Sequence, residues 1–360
     1  MALLAQPPSD LEGTPLPLLI VQDLKKHFVL RGPGRVGARV HAVDGVSFSV
    51  AMGETLGIVG ESGCGKSTLA RLLMHLVQQD AGTLIFDGES VEGPQGIGVQ
   101  ALRRQMQMVF QDSSASLNPR LPVKDSIAFG PRMQGHGRKA ADAIACDALR
   151  HVNLDPVLMG SRFPHELSGG QKQRVNIARA LAIGPRMVIL DEAVSALDKS
   201  VQAQVLNLLM RLRRELCLTY LFISHDLGVV RHISHRVLVM YLGRVVEIGP
   251  ASALFDAPLH PYTLALLASR PSMDPAQRIT CMPVSGDPPN PVDLPPGCRF
   301  APRCPFVEAV CREREPALAA PQGHEALGHL AACLIHDRDS GHSLAGKALP
   351  RGITVFGRSA

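Results

Sequence analysis

GIVGESGCGKSTL, residues 57–69, runs from a short apolar strand pattern straight into glycine and then into helical spacing. Within it Gly60, then Glu61, Ser62, Gly63 and Cys64, then Gly65, Lys66 and Ser67 satisfy the pattern G-x-x-x-x-G-K-[ST], with Thr68 one step into the helix. Glycines let such a backbone curl until its N–H groups face phosphate oxygens, and the helix N-terminus adds partial positive charge. Lys66 is then placed to neutralise β and γ phosphates, and the Ser67 hydroxyl to ligate Mg²⁺. A Gly-rich turn without a ligand is the plainer alternative; the strand before and the helix after favour the phosphate loop. Cys64 stands where Ser serves equally well and reads as a small filler.

Outward from this loop, strands and helices alternate. LLIVQDLKKHFVL and VHAVDGVSFSV flank the Gly/Arg-rich RGPGRVGAR and predict a hairpin with a solvated loop. QMQMVF, RMVILDE and TYLFISHD have strand character, while SGGQKQRVNIARALAI and SVQAQVLNLLMRLRREL have helical spacing. That alternation predicts an α/β layer structure around a mostly parallel sheet. In MVILDE, four apolar residues deliver Asp191 to the end of a buried strand, with Glu192 just beyond. Asp191 suits a Mg²⁺ ion, and Glu192 suits orienting or accepting the proton of an attacking water.

The bulk numbers narrow the class. At 360 residues, 46% hydrophobic and 19% charged, the chain can bury one large core with an appendage, or two domains. Its net charge of +5 is scattered and not interleaved with aromatics, which predicts no nucleic-acid partner. MALLAQPPSDLEGTPLPLLI has no basic leader, and nowhere do about 18 apolar residues run together. A soluble, cytosol-facing chain is expected, and reduced thiols there make disulfides the weakest reading of its cysteines. After about residue 250 proline becomes dense (SGDPPNPVDLPPGC) and periodicity fades; a domain change is expected near 255 and a flexible tail over 341–360.

LSGGQKQR, Leu167 to Arg174, resembles the signature of the ATP-binding cassette ATPases, and the other members of that series stand in order around it. Gln111 in VFQD resembles the Q-loop glutamine, SALD (Ser195 to Asp198) the D-loop, and His225 in ISHD the switch histidine. The resemblance implies a P-loop NTPase cassette over 18–255: a RecA-like core, an antiparallel β subdomain and a helical subdomain at about 112–180. It implies ATP and Mg²⁺ as cofactors, a catalytic set of Lys66, Gln111, Glu192 and His225, and Ser67, Gln111 and Asp191 around the ion. It also implies head-to-tail pairing, with Ser168, Gly169, Gly170, Gln171 and Asp198 serving the ATP held by a partner subunit. Phe28 is the candidate for stacking on adenine, with a core Phe as its alternative.

GPASALFDAPLHPYTLALLASRP, DEAVSALDKSVQAQVLNLL and FQDSSASLNPR resemble one branch of that family, the dipeptide, oligopeptide and nickel importers, and most closely their F-type ATP-binding subunit. The branch implies a second, different ATPase subunit, two transmembrane permease subunits, a solute-binding protein, and a peripheral place at the cytoplasmic face of the membrane. A soluble cassette ATPase acting on DNA or ribosomes is the alternative; a long coiled-coil insertion, a second cassette or basic arms would favour it. A nucleotide-binding regulator without hydrolysis is the third reading, and Glu192 together with His225 opposes it.

Four cysteines mark the segment 256–340: Cys298-x5-Cys304-x6-Cys311-x21-Cys333. Structural zinc favours tight C-x₂₋₄-C pairs, which are lacking here. Wider thiolate spacing suits a [4Fe–4S] cluster, which some C-terminal domains of the resembling importers hold; zinc ranks second and free thiols third. Lying two hundred residues from the phosphate loop, such a site is expected to clasp the Pro-rich domain without touching ATP chemistry.

Overall fold

A computed structural model of the chain describes residues 17–30, 37–91, 96–113, 115–269, 290–321, 328–347 and 349. Its first strands form the expected hairpin: β1 (Pro17–Val29) pairs antiparallel with β2 (Arg39–Ala51). β3 (Thr55–Val59) then enters a second sheet and leads into the helix Lys66–Leu73. That helix stops earlier than its apolar spacing predicts, because His75 turns to φ 50°. β4 (Ala81–Phe86) and β5 (Glu89–Ser90) complete a four-stranded antiparallel sheet in the order β2-β1-β4-β5.

The larger sheet takes in β6 (Met106–Val109), β7 (Met187–Asp191), β8 (Thr219–Ile223), β9 (Arg236–Tyr241), β10 (Arg244–Pro250) and β11 (Leu330–Ala331). Its order is β11-β10-β9-β3-β8-β7-β6. β9, β3, β8, β7 and β6 run parallel, and β10 and β11 extend the edge antiparallel. β3, β7 and β8 are buried along their whole length, as parallel strands covered on both faces must be. The pleat sorts their side chains by alternation. Val188, Leu190, Tyr220 and Phe222 join a core shared with the helices, while Met187, Ile189, Leu221 and Ile223 join a core shared with the antiparallel sheet and the Lys66–Leu73 helix. Gly57 is bare for a reason: a Cβ there would lie 2.6 Å from Val230 Cγ1, on the helix Leu227–Ile233.

Helices Val123–Met133, Arg138–His151 and Gly169–Leu181 pack on one another within the stretch expected to be a helical subdomain. No helix among the described residues is long and apolar enough to cross a membrane.

The segment after residue 255 is tied to the seven-stranded sheet more closely than the composition break suggests. β11 pairs with β10 through Glu247↔Ala331 and Ile248↔Leu330, so residues from the Cys/Pro-rich segment form the sheet's edge. Fully buried Glu247 accepts hydrogen bonds from the Leu259 and His260 N–H groups, both at 2.9 Å, and its Oε1 lies 2.8 Å from His329 Nε2. Phe300 belongs to the main core, while Ala301, Cys311 and Leu334 make a small apolar cluster of their own. The first residues of the expected tail are packed: His342 is buried with Nε2 2.9 Å from the Phe306 carbonyl, and Gly346 N–H donates to Ile335 O at 2.8 Å. Residues 350–360 of that tail lie outside the described residues.

Candidate active site

The phosphate loop owes its course to two glycines. Gly60 takes φ 150° and Gly65 φ 108°, and a Cβ would stand 2.3 Å from Met240 O at the first and 2.1 Å from Ala42 O at the second. Any other residue would need both a disfavoured dihedral and the removal of a backbone carbonyl. Gly65 is also the N-cap of the helix Lys66–Leu73 and supplies no side-chain cap, so the first N–H groups are left for an anion. Lys66 is buried, its Nζ donating at 2.8 Å to both Gly60 O and Glu61 O, which holds the positive charge inside the curl. Cys64 is buried beside it, and burial pushes its thiol pKa up, in keeping with a neutral filler.

Ser67 Oγ donates to Asp191 Oδ1 at 3.3 Å, uniting the two oxygen donors expected around Mg²⁺. Burial at the end of β7 raises the Asp191 pKa, a penalty that a divalent cation would reverse. The hard oxygen set therefore fits the ion. Gln111, expected as a third ligand, donates its Nε2 to Glu192 Oε2 at 2.9 Å, which leaves its Oε1 as the atom that could face the ion.

Glu192 itself turns sharply out of β7 at φ 49°, its N–H held by Ile223 O at 2.9 Å. Its Oε2 also lies 3.3 Å from His225 Nδ1. Three residues expected to be catalytic thus meet at one carboxylate oxygen, on a backbone conformation that a non-glycine residue adopts only where its surroundings enforce it.

The signature residues open the helix Gly169–Leu181. Ser168 caps Gly169–Leu181 in a reciprocal box: its Oγ accepts from Gln171 N at 3.3 Å, and Gln171 Oε1 accepts from Ser168 N at 3.0 Å. Ser168 and Gly169 are exposed. Gly170 allows close packing, since a Cβ would lie 2.5 Å from Val201 Cγ1 on the next helix, Lys199–Glu215. Asp198 caps that helix through Val201 N at 2.9 Å, a structural use that the D-loop resemblance does not reveal. Phe28 is 39% exposed and so is no core residue; it pairs with Val40 on the hairpin, with Lys26 Nζ 5.7 Å from its ring.

Sequence reasoning missed two residues that hold the phosphate loop from the far end of the chain. Glu61 N–H donates to the Tyr262 hydroxyl at 2.8 Å, and Arg303 grips the Glu61 carboxylate with both terminal nitrogens, at 2.8 and 3.0 Å. Tyr262 stands inside the segment that carried the branch resemblance, and Arg303 directly precedes Cys304, but neither position signals a partner 201 or 242 residues away. The two hundred residues that separate the cysteine segment from the phosphate loop in sequence are thus bridged in space by Arg303 on Glu61.

Cys298, Cys304, Cys311 and Cys333 all line one small apolar cavity together with His260, Phe300 and His342. Burial pushes the thiols of Cys298 and Cys333 up, and that of Cys304 up to about 12, with the neighbouring cysteines adding to it. Among the described residues, the only three His, Cys, Asp or Glu ligand atoms within 4.8 Å of one another are those of His27, His41 and Asp44. No three of the four sulfurs lie within 4.8 Å of one another, whereas tetrahedral Zn–S bonds of ~2.3 Å would bring all four to roughly 3.8 Å. This group of two histidines and an aspartate is an ion-pair network: against the upward push of burial, Arg299, His27 and Arg244 hold the Asp44 carboxyl down at about 2.

Residues 43–195 match the model of the ABC transporter family, and residues 246–311 match that of the oligopeptide/dipeptide transporter C-terminal region. A Sinorhizobium fredii protein described as a peptide ABC transporter ATP-binding protein, y4tS, is 48% identical over 344 residues, covering 94% of this chain and 97% of the relative. The Bacillus subtilis oligopeptide transport ATP-binding protein AppF is 45% identical over 332 residues, covering 89% and 97%. Among solved structures, cbiO1 of Clostridium perfringens, part of the ABC transporter complex cbiONQ, superposes with a TM-score of 0.58 at 27% identity, covering 67% of this chain and 91% of cbiO1.

Proposed function

The chain belongs to the ABC transporter ATP-binding family, and from that premise we propose that it is the ATP-hydrolysing subunit of a peptide importer. The observation that carries hydrolysis is the meeting of Gln111 and His225 on Glu192 Oε2. Water held by Glu192 attacks the γ-phosphorus in line; the bond from that phosphorus to the β–γ bridging oxygen breaks, ADP leaves, and the water's proton passes to the carboxylate and then to solvent. Gln111 and His225 fix the carboxylate's orientation, and Lys66 answers the charge gathering on the phosphates. Mg²⁺, held by Ser67 and Asp191, supplies further charge neutralisation when bound.

Exposed Ser168 and Gly169 at a helix N-terminus suit the γ-phosphate of ATP seated on a second ATPase subunit, giving the head-to-tail pair. Phe129 and Met133 on one helix, and Val157 and Leu158 on the short helix Pro156–Met159 packed beside it, are exposed apolar side chains that suit docking on two permease subunits. Peptides and oligopeptides are the cargo named for the relatives; here a solute-binding protein would deliver them. The chain would sit peripherally at the cytoplasmic face. Residues 256–340 form the importer-type C-terminal region, whose four thiols line one cavity and whose wide sequence spacing suits a [4Fe–4S] cluster better than zinc. The DNA- or ribosome-acting alternative is not favoured, because the match over 246–311 is to a transporter region.

Co-purification tests this reading. The tagged chain is expected to leave membranes with two permease subunits and a second ATPase; a fully active soluble monomer would contradict it.

A further inference from the structure

The seven residues Cys298–Cys304 connect the thiol cavity to the phosphate loop and to strand β2. Their end cysteines line the cavity, while Arg299 pairs with Asp44 on β2 and Arg303 with Glu61 in the phosphate loop. Between the arginines, Phe300 meets Tyr241 edge-on and Tyr262 at a tilt, with ring centroids 5.3 and 5.5 Å apart, and Tyr262 receives the Glu61 N–H. Arg303 is 8% exposed, and its fork on Glu61 is bidentate, the geometry that fixes both distance and orientation.

We infer that Arg303 is a positioning residue for the phosphate loop, and that occupancy of the four-thiol cavity sets, through Cys298–Cys304, how firmly that loop holds nucleotide. The inference rests on reading the loop as the ATP site. The physical reason is preorganisation. Ligated cysteines fix both ends of the segment, so little ordering entropy remains to be lost when Arg303 holds Glu61; with the thiols free, the same grip must order the segment as well.

The test titrates a non-hydrolysable ATP analogue with Mg²⁺ into the full chain, purified anaerobically, by calorimetry. Arg303→Met is expected to weaken binding about tenfold, the size of one lost charge-assisted bridge. Turnover of the assembled transporter at saturating ATP is expected to stay within about twofold, so that KM moves and kcat does not. Glu61→Gln removes the same bridge from its other end and reports on it even where Arg303→Met fails to fold; the double variant is expected to be no weaker than either single one. Stripping metal from the thiols with a chelator is expected to weaken binding in the wild-type chain and not in Arg303→Met. Unchanged affinity in Arg303→Met or Glu61→Gln, additive losses in the double variant, or a wild-type affinity indifferent to the chelator would overturn the inference. A wild-type chain that binds no analogue would instead overturn the ATP reading beneath it.

Discussion

Gln111 and Glu192, 81 residues apart, are joined by a 2.9 Å hydrogen bond from Nε2 to Oε2, the same oxygen that faces His225. One lies just past β6 and the other at the end of β7, adjacent parallel strands, so the pairing follows from the register Val109↔Leu190. A carboxylate so held presents its oxygens in a fixed direction, which is what a water-orienting group requires. Gln111→Leu keeps the volume and removes the donor. Steady-state assays of the assembled transporter are expected to show kcat down about tenfold with ATP affinity unchanged.

The glycines of the phosphate loop are not equivalent. A methyl at Gly63, φ 79°, meets nothing within 4 Å, whereas one at Gly65 meets Ala42 O at 2.1 Å. Chemical denaturation should find Gly63→Ala weaker by only about 1 kcal/mol, the cost of left-handed backbone. Gly65→Ala should lose about 3 kcal/mol or more, or fail to fold, and bind no ATP.

His260 gives the fold a dependence on pH. It is buried, and its Nδ1 accepts from Tyr262 N at 3.0 Å; burial, with His336 adding to it, lowers its pKa from 6.5 to about 3. Between those values the unfolded chain binds a proton that the folded chain refuses, so stability falls as pH falls through the window, at up to about 1.4 kcal/mol per pH unit. His260→Asn keeps an N-cap acceptor without the titration. Denaturation midpoints of this variant are expected to vary less between pH 6 and 4 than those of the wild type; parallel curves would contradict the assignment.

The thiol cavity is expected to hold iron and sulfide in matched amounts after anaerobic purification. Cys333→Ser should lower both and reduce thermal stability, while Cys217→Ser, at an exposed cysteine outside the cavity, should change neither. Zinc without sulfide would contradict the cluster.

Much of the site was legible because its signals are local. The phosphate loop, the acid pair closing β7 and the capped signature helix are each a contiguous motif in a matching strand or helix period, so their positions follow from sequence alone. Convergence of the four cysteines followed from their spacing in one segment. What stayed hidden depends on long-range packing. β11 is only two residues long and pairs with β10 across the Cys/Pro-rich segment, and Arg303 finds Glu61 from 242 positions away. Gln111 entered as a Mg²⁺ ligand by resemblance, and its hydrogen bond to Glu192 is one that no local pattern announces. Phe28 was ambiguous because a strand pattern does not say which residues near a hairpin's end leave the core; at 39% exposure it has left.

The most direct test is ATP turnover by the chain alone, by the chain assembled with its second ATPase and permease subunits, and by the same assembly carrying Glu192→Gln. Slow turnover alone, fast turnover assembled, and a loss of about a hundredfold or more in the variant with ATP still bound are expected. An assembled Glu192→Gln variant that hydrolyses ATP as fast as the wild type would contradict the catalytic assignment.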